Sequence, residues 1–126
     1  MVTNDPDTVA ELAAIYRRYE AALVTNDAET LTEMFWNSEH AVRFGAAENL
    51  HGYEEISAFR RARPAVNLAR TINRLDIVTF GRDFGSVTLE FSRQVDGSTV
   101  SGRQSQCWVR FSEGWRIVSA HVSQLA

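Results

Sequence analysis

A chain of 126 residues, 44% hydrophobic and 23% charged, has the length of one domain, residues 1–126, and enough apolar content for a core; disordered and fibrous classes are excluded. Its formal charge of -3 supplies no general attraction for nucleic acid, and no basic cluster interleaved with aromatics offers a base-stacking surface. The segment MVTNDPDTVAEL is acidic and polar where a secretory signal is basic and then apolar, and no apolar run is long enough to span a bilayer. A cytoplasmic location without membrane association is therefore expected.

The opening residues read as a helix. Asp5 or Asp7 can cap it, Pro6 suits its first turn, and Val9, Leu12, Ile15, Tyr16, Tyr19 and Leu23 recur at three- and four-residue steps. Asn26-Asp27 breaks this helix and caps a second, in which Leu31, Met34 and Phe35 keep the helical spacing. Residues 41–45, AVRFG, alternate as a strand, with Val42 and Phe44 on one face and Arg43 on the other. After Gly52, the residues Tyr53, Ile56, Phe59 and Arg60 suggest a third helix that ends before Pro64. Four strands are then predicted at about 66–80, 84–95, 99–112 and 115–123, separated by the turn sequences Gly81-Arg82-Asp83, Asp96-Gly97 and Glu113-Gly114. Helices first and a long antiparallel meander afterwards predict an α+β fold, with the helices on one face of a strongly curved sheet and a small-molecule cavity between them.

Side-chain chemistry narrows the ligand. All 13 basic residues are arginine, so there is no lysine for a Schiff base, and a pocket built from planar guanidinium forks suits carboxylates. Cys107 is the only cysteine, which leaves no intrachain disulfide. His40, His51 and His121 do not pair at ligand spacing, and glycine-rich phosphate loops, dinucleotide fingerprints and nucleophile elbows are lacking; neither a metal nor a cofactor is expected.

Arg43, between Val42 and Phe44, faces either solvent or a polar cavity. Tyr19 reads equally as a core aromatic with a tethered hydroxyl. Should the two meet, the guanidinium would favour phenolate over a phenol whose ordinary pKa is about 10, and Tyr19 could act as base or nucleophile. Gln104, Gln106 and Trp108 share one strand face, and Trp115, Ile117, Ser119, His121 and Ser123 share a face of the next strand. Together they suggest a cavity wall of hydrogen-bonding groups, although His121 could equally be a satisfied core histidine. Arg70 is a second candidate cation, with a solvated strand face as its alternative.

The runs FWNSEHAVRFGAAENLHG, FRRAR-P, FGRDFGS and GRQSQCWVRFSEGWRIVSAHVS resemble the small AtzH-like proteins, a family that includes the oxalurate-catabolism protein HpxZ. The likeness extends from the first helix to residue 123. The resemblance implies the cone-shaped fold of nuclear transport factor 2-like (SnoaL-like) proteins and a homodimer formed through the sheets. It also implies, from the family's characterised member, a decarboxylating amidohydrolase that converts 1,3-dicarboxyurea to allophanate and whose essential tyrosine and arginine match Tyr19 and Arg43. A small anionic substrate would then meet Arg43 and Arg70 at its carboxylates and Gln104, Gln106 and His121 at its urea centre. Two other classes use the same cavity: a non-catalytic dimeric binding or amidase-accessory module, and an isomerase or cyclase working through Glu20, Glu48 or Glu54.

Overall fold

The computed structural model describes residues 1–64 and 68–125. Helix α1 spans Pro6–Val24, and its first turn is closed by Asp5, whose carboxylate accepts from the Thr8 N–H at 3.1 Å and the Thr8 hydroxyl at 2.8 Å. Leu12, Tyr16, Tyr19 and Leu23 form its buried stripe. Asn26, at φ 52°, turns the chain, and Asp27 caps α2 (Ala28–Glu33) through the Thr30 N–H and hydroxyl. Strands β1 (Val42–Phe44) and β2 (Asn49–His51) form a short hairpin before α3 (Tyr53–Ala62). That helix carries Glu54 and Glu55 in its first turn and Arg60 and Arg61 in its last, the order its dipole favours.

The meander follows as β3 (Thr71–Phe80), β4 (Phe84–Val95), β5 (Ser98–Phe111) and β6 (Gly114–Gln124). Asp96 and Gly97, at φ 52° and 80°, make the two-residue β4–β5 turn, a geometry that Asp-Gly adopts readily. The six strands lie in the order β2-β1-β6-β5-β4-β3, antiparallel throughout except for the parallel pair β1–β6. The sheet curls without closing and is an α+β assembly with the helices on its concave side, as expected from the sequence. On that side lie Val87, Leu89 and Phe91 of β4, Trp108 of β5, and Trp115 and Ile117 of β6, in one core with Leu12, Tyr16 and Tyr19 of α1. Leu12 fills the space where a side chain at Gly85 would stand, which lets α1 sit directly on β4.

Three expectations need correction. The strand predicted from residue 66 begins at Thr71; residues 66 and 67 lie outside the described residues, and Leu68–Arg70 precede the last β3–β4 partners, Thr71 and Ser92. Strand β2 was not expected, because Asn49–His51 is too short to show alternation. The third correction concerns β6, where Cys107 pairs with Ser119 but Trp108 pairs with Ile117, leaving Val118 as a bulge residue. Beyond the bulge the parity of the strand reverses. Ala120 and Val122 take the concave face, and Ser119 and His121 turn to the outer one.

Candidate functional site

Arg43 occupies the inner side of β1. Its side chain is only 6% exposed, whereas Phe44 points outward and packs edge-on to His51 and His121 at 5.6 and 5.9 Å between ring centres. Val87, Gln106, Ala120 and Arg43 are successive cross-strand partners, so the arginine lies at the end of a concave row that begins in the core. Its Nη1 donates to Glu48 Oε1 at 2.7 Å. Glu48 comes from the turn Gly45–Glu48, where the Gly45 N–H donates to the Glu48 carbonyl at 2.9 Å, and its carboxylate folds into the space a Cβ on Gly45 would take.

Tyr19, 2% exposed, is held by Trp108 edge-on at 6.3 Å. Its Oη accepts a hydrogen bond from Arg60 Nη2 at 3.0 Å. Arg60 is 1% exposed, and its Nε and Nη1 have no hydrogen-bond partner among the described residues. Burial lowers this guanidinium to about 10, and the positive charges of Arg43 and Arg63 press in the same direction. The neighbour of the tyrosine oxygen is therefore Arg60, a residue the sequence did not single out for chemistry, and no hydrogen bond joins that oxygen to Arg43.

Three residues earlier the surroundings differ. Tyr16 donates to Glu20 Oε1 at 2.9 Å and accepts from Gln104 Nε2 at 3.1 Å. Burial, and next the Glu20 charge, push its ionisation well above the ordinary phenol range. Arg70 grips the same carboxylate with two hydrogen bonds, Nε to Oε2 at 2.8 Å and Nη2 to Oε1 at 2.7 Å, while Nη2 also reaches Gln104 Oε1 at 3.1 Å. Burial works against the charge of Arg70, but its bonds and attraction to Glu20 outweigh burial and hold the guanidinium protonated above its usual value.

These groups meet at a cavity of about 170 Å³ walled by Tyr19, Arg43, Glu48, Arg63, Arg93 and Gln104, with Arg70 at its side. The volume equals roughly six waters at ~30 Å³ each, enough for a small polar ligand and too small for a steroid-sized one. Counting Arg60 behind Tyr19, five guanidiniums face two carboxylates, Glu48 and Glu20. Arg63 is lowered by burial and then by Arg43, and Arg93 Nε is buried without a hydrogen-bond partner, so among the described residues the positive charge here exceeds the negative.

Of the residues chosen from sequence, Tyr19, Arg43, Arg70 and Gln104 line this cavity. Gln106 does not; it lies in the core, with its Oε1 accepting from Trp108 Nε1 at 2.9 Å and its Nε2 without a hydrogen-bond partner among the described residues. The expectation that His121 shares the face of Trp115 and Ile117 is corrected by the bulge at Val118, which places it exposed on the far side of the sheet. Arg60, Arg63 and Arg93 were missed, and Glu48 was named only as an acid–base candidate for an isomerase or cyclase. Arg60 alone carried a signal: it stands four residues after Ile56 in the stripe of α3, a core position filled by a charge.

A larger open cleft of about 920 Å³ lies between α2, α3 and the β5–β6 turn, rimmed by Glu29, Glu33, Glu54 and Glu113 with Arg61 and Arg116. Its acid-rich rim disfavours anions, so volume yields to charge in locating an anion site. Among the described residues no group of three or more His, Cys, Asp and Glu side chains could hold a metal ion, and no helix is long and apolar enough to cross a membrane.

A curled sheet with helices over its concave face and a polar cavity at one end defines the cystatin-like, nuclear transport factor 2-like class. A putative ketosteroid isomerase from Parabacteroides distasonis shares the fold at 14% identity and a TM-score of 0.72, over 88% of this chain and 85% of that one. The sequence profile of the AtzH-like family matches residues 1–126, and the chain belongs to that family. It is 49% identical to a protein of unknown function from the DUF3225 family of Pectobacterium atrosepticum, with a TM-score of 0.93 over 98% of this chain and 95% of that one. It is 44% identical to a cystatin-like fold protein from Burkholderia xenovorans, with a TM-score of 0.92 over 100% and 98%. No curated protein matches the chain.

Proposed function

We propose that the protein is a cofactor-independent decarboxylating amidohydrolase acting on a small carboxylated urea or ureide, such as 1,3-dicarboxyurea. The observation that carries this reading is the cavity of about 170 Å³, in which a tyrosine hydroxyl and a surplus of guanidiniums surround space for a small anion. Arg43 receives one carboxylate, in exchange for Glu48 or beside it, and Arg63 and Arg93 lie within the same wall for a second. Gln104 offers an amide to the urea centre.

In the reaction, ionised Tyr19 takes a proton from the water that attacks the terminal carboxyl carbon. The C–N bond then breaks, the proton passes from Tyr19 to the leaving nitrogen, and bicarbonate departs. Charge that develops on the carboxyl oxygens is met by the arginines. Product formation from 1,3-dicarboxyurea, allophanate or oxalurate, followed at high enzyme concentration, tests the assignment; no turnover of any of the three would overturn it. The resident Arg43–Glu48 pair favours one second reading, a dimeric binding or amidase-accessory module whose carboxylate seat is filled until a ligand arrives. Calorimetric binding without consumption, unchanged in Tyr19→Phe, would select that reading.

A further inference from the structure

We infer that Arg60 is a positioning residue that favours the phenolate of Tyr19 over the phenol, so that the base of the proposed reaction is prepared from behind the cavity and not by Arg43. This rests on the reading of Tyr19 as a base. The geometry is direct: Arg60 Nη2 donates to Tyr19 Oη at 3.0 Å, from a side chain with 1% exposure. Among the described residues Arg60 makes no ion pair with a carboxylate, and its Nε and Nη1 have no hydrogen-bond partner. A guanidinium in this position needs an anion. Burial brings Arg60 down only to about 10, which leaves it charged at neutral pH. The polar atom it touches is the tyrosine oxygen, and a phenolate accepts a guanidinium hydrogen bond more strongly than a phenol does.

The rest of the surroundings agree in sign. Arg43 on β1 and Arg63 just after α3 face the same region, Arg70 adds a third positive charge, and Glu48 and Glu20 are each already bound by an arginine. Tyr16, whose ring centre is 5.8 Å from that of Tyr19, gives its proton to a hydrogen bond with Glu20 and stays neutral. One helix thus presents two phenols, one set against a carboxylate and one set against a cation. Over a catalytic cycle Tyr19 accepts one proton and returns it, and Arg60 exchanges none.

The test needs no substrate, so it separates this inference from the assigned reaction. The protein is prepared with ring-labelled tyrosine, whose ζ-carbon resonance moves on ionisation, and titrated from neutral to strongly alkaline pH. The chain has three tyrosines, and Tyr19→Phe identifies the resonance. In the native protein Tyr19 should ionise roughly one to three pH units below its value in Arg60→Met, the range for an adjacent opposite charge, and Arg60→Lys should recover part of the difference. Equal titration in the native protein and a folded Arg60→Met would overturn the inference. Should the neutral variant fail to fold, the native protein decides alone: ionisation at or above the ordinary value of about 10 refutes the inference, and ionisation below it supports it.

Discussion

Tyr16 and Tyr19 lie three residues apart on one face of α1, yet their hydroxyls make opposite kinds of contact, and substitution should separate them. Tyr19→Phe should lower kcat by about 10²- to 10⁴-fold, the usual contribution of a positioned acid–base group, with unchanged circular dichroism, because only the bond to Arg60 is lost. Tyr16→Phe removes the hydroxyl shared by Glu20 and Gln104 and should cost about 1–3 kcal/mol in urea unfolding, with a smaller effect on turnover. Arg60 permits a second contrast. Its value is lower in the folded protein than in the unfolded chain, so its charge opposes folding at every pH below about 10, and that cost fades as pH rises through about 10. Arg60→Met should therefore be no less stable at neutral pH than the native protein while losing activity, and the difference should shrink in alkali; denaturant midpoints at neutral and alkaline pH measure this. Helical periodicity put Tyr19 on an inward face, whereas strand alternation left Arg43 between solvent and a cavity, and only the family resemblance paired the two. Arg60 was less so, since the stripe of α3 marks it as inward without saying which residue of a distant helix it meets.

At the scale of elements, the β1–β2 hairpin sets how Arg43 is used. The glycine at its entrance makes room for the Glu48 carboxylate, and that carboxylate occupies the guanidinium an incoming ligand needs. The Glu48 side chain is 22% exposed, so the pair is worth about 1 kcal/mol. Glu48→Gln should accordingly tighten binding of a small dicarboxylate by about fivefold to tenfold, read by titration calorimetry; weaker binding would instead make Glu48 part of the ligand contact. This hairpin was illegible in the sequence because Gly45–Glu48 lacks an Asn-Gly or Asp-Gly signal and its second strand has three residues. The long strands β4, β5 and β6 were predicted to within a residue or two, since each alternates for ten residues or more between strong turn sequences. The bulge escaped because Ile117, Val118 and Ser119 alternate as well with it as without it. Only pairing with Cys107 and Trp108 fixes the shift, and it is this shift that carries His121 away from the cavity.

For the molecule as a whole, the same shift has a consequence on the convex side. Asp76, Thr88, Ser105, His121 and Phe44 are successive cross-strand partners running across five strands, and the first four are exposed. The helices pack on the other face, so this row is where two copies could meet through their sheets, and we propose that they do. The row is polar, which suits an interface of hydrogen bonds and ordered water more than one driven by apolar burial. Light scattering should then give a mass about twice 14.2 kDa for the native chain. Ser105→Arg, which puts a bulky charge at the middle of the row, should give the monomer mass with unchanged circular dichroism and an unchanged Tyr19 titration, since the cavity lies on the opposite face. A native chain that runs as a monomer would end this proposal. A dimer that survives Ser105→Arg would move the interface to another surface, such as the β3–β4 end where Phe80 and Phe84 are exposed.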